Sequence, residues 1–134
     1  MPQCLALGLH AQVAFFKEAA QLGDLYVSVG NDANIAMLKK KPMFPEVERV
    51  YMVQAIRWVR HAFVAQGMGH DQAPDLDLVK PDIFFVNEDG DKESKRQQCA
   101  ERGIKYVVAA RSPDAGLSVR SSTSIKQALD TARA

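Results

Sequence analysis

Long apolar runs are missing from this chain. The apolar stretch at residues 4–9 is too short for the core of a signal sequence and lacks a basic flank, and no segment reaches the length a bilayer requires. Cysteine is scarce. Cys4 and Cys99 show no metal-ligand spacing and do not suggest a disulfide framework, so a reducing, cytoplasmic setting is expected. An excess of charge of one sign is also missing: 17 Lys and Arg face 16 Asp and Glu, for a net charge of +1. Neither nucleic acid nor a membrane is therefore expected as a partner, and any affinity for phosphate must come from local placement of cations. Internal repeats and low-complexity tracts are absent as well.

What is present is a chain of 134 residues, 47% hydrophobic and 25% charged, which suffices for one domain with a real core. Residues 13–22 place Val13, Phe16 and Ala20 on one side at helical spacing, with Phe15 and Ala19 flanking, and Gly23 ends that helix. Residues 25–29 read as a strand closed by Gly30-Asn31-Asp32. Residues 33–40 are a short helical or irregular piece running into Lys39-Lys40-Lys41, and Pro42 and Pro45 bound a loop. Pro45 suits the first turn of a helix reaching about Arg57, with Glu46 and Glu48 at its positive end. Then follow a short strand at 62–64, a loop at 67–74, a helical turn at 76–79, a strand at 82–86 and a polar turn at 87–92. A helix over 93–102 stopped by Gly103, a strand at 106–109 and a final helix after Ser122 complete the chain.

Strands alternating with helices predict an α/β fold, Rossmann-like, with a mostly parallel sheet and helices on both faces. Such sheets bind ligands beyond the strand C-termini, at the point where the strand order reverses. The loops after Val29, Val64, Val86 and Ala109 are therefore the expected site. Near the end of the chain, Arg120-Ser121-Ser122-Thr123 places a cation before hydroxyl residues that open a helix. Hydroxyl N-caps, free first-turn amides and the helix dipole make this a phosphate site or, on the plainer reading, an ordinary capped helix.

The same loops carry an ordered set of motifs: Leu22-Gly23-Asp24, Gly30-Asn31-Asp32, Glu48-Arg49, Arg57-Trp58-Val59, Pro81-Asp82-Ile83-Phe84, Asn87-Glu88-Asp89, Arg111-Ser112-Pro113 and Arg120-Ser121-Ser122-Thr123. Over residues 13–126 the set resembles the cytidylyltransferase-like nucleotidyltransferases, notably the glycerol-3-phosphate cytidylyltransferase group. The resemblance implies transfer of a nucleotidyl group from CTP or ATP to a small phosphorylated alcohol or sugar, with release of pyrophosphate, magnesium accompanying the nucleotide, and a homodimer. It implies that Arg57, Arg120, Ser121, Ser122 and Thr123 bind nucleotide. It implies also that Lys40, Lys41 and Arg111 neutralise phosphate charge during transfer.

Other residues are read from their own chemistry. Asp32 contacts base or ribose, or simply makes an Asx turn. His70 contacts an acceptor phosphate or is solvated. For Asn87 and Asp89 the resemblance implies contact with nucleotide, magnesium or acceptor, and the residues alone suggest a plain acidic turn. The alternation of ligands and the downstream glutamate of a calcium loop are absent there, and no protein ligands are expected for a resident metal. Phe15, Phe16, Met43 and Phe44 are core or dimer-interface candidates.

One family motif has no counterpart. His-x-Gly-His should precede the first helix, but Leu9 and Gln12 stand at the two histidine positions, with His10 between them as the nearest catalytic candidate. With so few residues upstream, the first strand and its loop, about residues 1–12, are expected to be degenerate or missing. Two functional readings stay open: a cytidylyltransferase-type enzyme with an altered N-terminus, and a nucleotide-binding or dimerising relative without turnover.

Overall fold

Apolar residues recurring at the centre of each predicted strand collect into one sheet of five parallel strands. They are β1 (Gln3–Gly8), β2 (Asp24–Val29), β3 (Val59–Val64), β4 (Ile83–Asn87) and β5 (Lys105–Ala109). The computed structural model describes residues 2–8, 13–33, 36, 44–69, 71–109 and 129–132. The strand order is β3-β2-β1-β4-β5, parallel at every pairing. The connecting helices are α1 (Val13–Ala20), α2 (Glu46–Gln54), α3 (Ala73–Val79) and α4 (Glu93–Glu101). A 3-10 turn, Glu88–Gly90, follows β4. The fold is the expected Rossmann-like α/β arrangement.

The pleat divides the core into two layers. On one face Phe16 and Ala19 of α1 and Val53 of α2 pack against Cys4, Ala6, Leu25, Val27, Val29 and Phe85. On the other, Leu76 of α3 and Cys99 of α4 pack against Leu5, Phe84 and Val86. Alternate strand residues point to opposite faces, and both faces are covered by helices, so strands that read as unbroken apolar runs belong here. The exception to strict alternation is β3, where a register shift pairs Leu25 with Val59 but Tyr26 with His61. The extra residue, Arg60, is what allows Val59 and Ala62 to share a face.

The expectation of a missing first strand is corrected. β1 is present, sits at the centre of the sheet and pairs with both β2 and β4, and Cys4, Leu5 and Ala6 are fully buried. Six residues are enough for a strand of ordinary length. Pro2 does not interfere because it precedes the ladder, and its carbonyl accepts the amide of Asp24 at 2.9 Å. That approach also gives Gly23 a second role, since a side chain there would strike the Pro2 carbonyl. Phe16 is buried and Phe15 stacks on Phe85 at 5.0 Å, so both are core residues rather than interface residues. Only residues 129–132 of the expected C-terminal helix fall among the described residues, and they are helical. Met43 lies outside them.

Candidate active site at the carboxyl edge of the sheet

Because the strands are parallel, their C-termini share one edge, formed by Gly8, Val29, Val64, Asn87 and Ala109. The chain fills the β1-β2-β3 side first, then crosses β1 to build β4 and β5. The switch point is therefore between β1 and β4, where such sheets open a crevice for ligand. The turn after β4 borders that crevice, and residues 9–12, which follow β1, lie outside the described residues.

After β2 the chain makes a clasp. Arg49, in α2 and 8% exposed, donates to the Gly30 carbonyl at 2.6 Å, to the Phe44 carbonyl at 3.0 Å and to Asp32 Oδ1 at 2.6 Å. Asp32 Oδ2 accepts the Glu46 amide at 3.2 Å, while Glu46 Oε1 accepts the Asp32 amide at 3.0 Å. Asp32 thus supplies the N-terminal amide of α2 with an acceptor, a task the N-cap residue Pro45 does not perform. The clasp ties Gly30 and Asp32, just after β2, to the start of α2. Of the two roles expected for Asp32, the structure shows a structural one: both carboxylate oxygens accept hydrogen bonds from within the protein.

The loop after β3 is fixed by other partners. Asn31 Nδ2 donates to the carbonyls of Ala65 and Gly67 at 3.0 and 3.1 Å. The fully buried Asp75 accepts the Ser28 hydroxyl at 2.6 Å and the Gln66 amide at 3.0 Å. Gly67 packs against the Asp71 carbonyl so closely that a side chain would collide with it. The loop is therefore strapped to β2 and α3.

The turn after β4 is held from within. Asn87 Oδ1 accepts the Gly90 amide at 2.9 Å, and Lys95 Nζ donates to the Gly90 carbonyl at 2.8 Å. Lys95 is only 5% exposed. Burial, and then the neighbouring Lys92 charge, hold its ammonium below the ordinary lysine value, with Asp91 opposing. Nothing in the sequence marks this burial, because Lys95 sits among charged and polar residues. Beside it, Asp91 pairs with Arg96 at 2.8 Å and accepts the Tyr106 hydroxyl at 2.9 Å. The Arg96 and Tyr106 hydrogen bonds pull the Asp91 carboxyl below its usual range. Burial, with the bond to Asp91, pushes the Tyr106 phenol up to about 12.

The predicted site residues fall into three groups. Asp32 and Asn87 are at the carboxyl edge, and the backbone of Asp89 lies in the turn beyond β4. Arg57 is not at that edge. It precedes β3, at the opposite end of the sheet, and its guanidinium lies 4.7 Å from the centre of the Trp58 ring, with Lys17 Nζ 5.6 Å away. A strand of this length separates Arg57 from the ligand edge of its own sheet by roughly 20 Å, and the contact the structure shows for it is the cation–π contact with Trp58. His10, Lys40, Lys41, His70, Arg111, Arg120, Ser121, Ser122 and Thr123 lie outside the described residues.

Sequence reasoning missed Arg49 and Lys95 as buried edge residues. The Glu48-Arg49 pair was a signal for the first. The second had none, because α4 is polar all round. Among the described residues, no group of three or more His, Cys, Asp or Glu side chains could hold a metal ion. None of their helices is long and apolar enough to cross a membrane.

Comparison with known proteins agrees with this architecture. Residues 10–128 match the family described as cytidylyltransferase-like. The FAD synthase of Methanocella paludicola is 38% identical over 99 residues, covering 72% of this chain and 69% of the relative. The FAD synthase of Methanoculleus marisnigri is 34% identical over 120 residues, covering 87% of this chain and 78% of the relative. The crystal structure of the lipopolysaccharide core biosynthesis protein from Thermoplasma volcanium GSS1 superposes with a TM-score of 0.71 at 27% identity, covering 82% of this chain and 97% of that one. With a match that spans most of its length, the chain belongs to the cytidylyltransferase-like family of nucleotidyltransferases.

Proposed function

We propose that this protein transfers a nucleotidyl group from a nucleoside triphosphate to a phosphomonoester. An oxygen of the acceptor phosphate attacks the α-phosphorus, the bond to the β-phosphate breaks, and pyrophosphate leaves. The family match across residues 10–128 carries this reading. ATP is the favoured donor, because the curated relatives are FAD synthases and FAD is FMN bearing an adenylyl group. CTP with a small phosphorylated alcohol or sugar is the other substrate pair the motifs suggest.

The chemistry is mostly placement of positive charge around phosphates. Lys40, Lys41, Arg111 and the Arg120 to Thr123 segment are the groups proposed to supply it. His10 is proposed beside the α-phosphate, and His70, Asn87 and Asp89 on the acceptor side. Magnesium would accompany the triphosphate. Among the described residues no group of three or more His, Cys, Asp or Glu could hold it. The resemblance also implies a homodimer. Phe44, Val47, Tyr51 and Met52 are exposed apolar residues available for it, and light scattering tests it.

The test is pyrophosphate release with ATP plus FMN and, separately, with CTP plus glycerol 3-phosphate. The reading requires release that depends on both substrates of one pair. A second reading, binding without turnover, is favoured by Leu9 and Gln12 standing where the family carries histidines. Losing one preorganised donor typically lowers rate roughly 100- to 1000-fold, so losing two leaves little chemistry. Triphosphate binding with no release in either assay would select it.

A further inference from the structure

Lys95 is the group whose placement the fold alone does not explain. Lysine is almost never this buried without a counter-charge. Its ammonium has three N–H donors, yet among the described residues its hydrogen-bond partner is one neutral carbonyl, that of Gly90, and no carboxylate lies within ion-pair distance of it. Burying a charge on such terms is unfavourable unless an anion completes the site. Lys95 lies in the first turn of α4, under the Glu88–Gly90 turn, and that turn borders the crevice between β1 and β4.

We propose that Lys95 is a positioning residue whose buried positive charge, acting through the Asn87–Gly90 turn, attracts the phosphate of a substrate bound in the crevice between β1 and β4. This deepens the nucleotidyl-transfer reading and rests on it for the ligand class, a phosphate ester. The source of the phosphate is either the triphosphate or the phosphorylated acceptor. Buried charge in a water-poor setting acts over several ångströms with little screening. The alternative role, holding the turn by a hydrogen bond to Gly90, requires a donor but no charge.

Two variants separate these roles. K95M removes charge and donor together, whereas K95Q removes the charge and retains an amide donor for the Gly90 carbonyl. Titration calorimetry of the full chain with ATP, adenosine, FMN and riboflavin reads affinity, and a thermal melt of each variant confirms folding. Both variants are expected to bind ATP or FMN about tenfold more weakly, about 1.4 kcal/mol, with adenosine and riboflavin unaffected. The ligand that loses affinity identifies the source of the phosphate. If K95Q binds both phosphorylated ligands like the unaltered protein, or if neither variant changes affinity, the proposal is overturned. If the unaltered protein binds neither, this proposal and the nucleotidyl-transfer reading fall together. If it binds but never releases pyrophosphate, only the transfer reading falls.

Discussion

Arg49 and Lys95 are both buried cations under turns at the same edge of the sheet, one after β2 and one after β4, yet they are satisfied in opposite ways. Arg49 meets a carboxylate and two carbonyls, each within hydrogen-bond distance. Lys95 meets one carbonyl. The planar guanidinium suits the first task, because its fixed fork can join three groups from separate segments. The lysine ammonium is a point charge on a flexible stem, suited to being met by something that arrives. The β2 side therefore reads as finished structure, and the β4 side as structure completed by ligand.

The sharpest way to break the comparison is R49M. It strands Asp32 and leaves the Gly30 and Phe44 carbonyls without a donor. A loss of about 3 kcal/mol is expected, at the low end for a broken buried pair because the Asp32 side chain is 39% exposed. Urea unfolding followed by circular dichroism measures it, and a loss under about 1 kcal/mol would sink the clasp as a structural element. Next in size is D32N, which keeps the shape but removes the charge. It should cost about 1 to 2 kcal/mol in the same assay.

K95M should behave differently, within about 1 kcal/mol of the unaltered protein or above it, since replacing a buried charge by an apolar side chain is often neutral or stabilising. A large loss of stability would show that the two cations are alike after all. The smallest effect is in the pH dependence. The Lys95 pKa is lowered from its ordinary 10.5 by burial and by Lys92, while Asp91 opposes. The unfolded chain thus holds more protons there, and this group's contribution to stability grows as pH rises toward 10.5. Burial pushes the Cys4 and Cys99 thiols from 9.0 up to about 12 and about 11, so their contribution is full below 9 and lost as pH rises through those values. Melts between pH 8 and 10 of the unaltered protein and K95M share the cysteine effect, so their difference isolates the lysine. A constant difference would contradict the depressed pKa.

How far the sequence carried can be judged from particular residues. β2, β4 and β5 were legible because β-branched and aromatic residues cluster between turn residues. α2 was legible from Pro45 and its acidic first turn. β1 was missed because the family's histidine motif, which would have marked its end, is not there, and only its burial in the middle of the sheet reveals it. Arg57 was placed by its neighbours in sequence, and these do not report which end of a strand a residue occupies. Lys95 was read from a helix with polar residues on every side, where periodicity gives no inward face.

By itself the sequence determined the class of fold, the alternation of elements and the position of most strands. Those follow from local preferences, namely apolar runs, helix caps and glycine or proline stops, which act over a few residues. Only the tertiary structure decided that β1 is the central strand, that Asp32 closes on Arg49 17 residues away, and that Lys95 points inward. These depend on contacts between segments distant in the chain. Their energies come from burial and from pairing that exist only once the sheet is assembled.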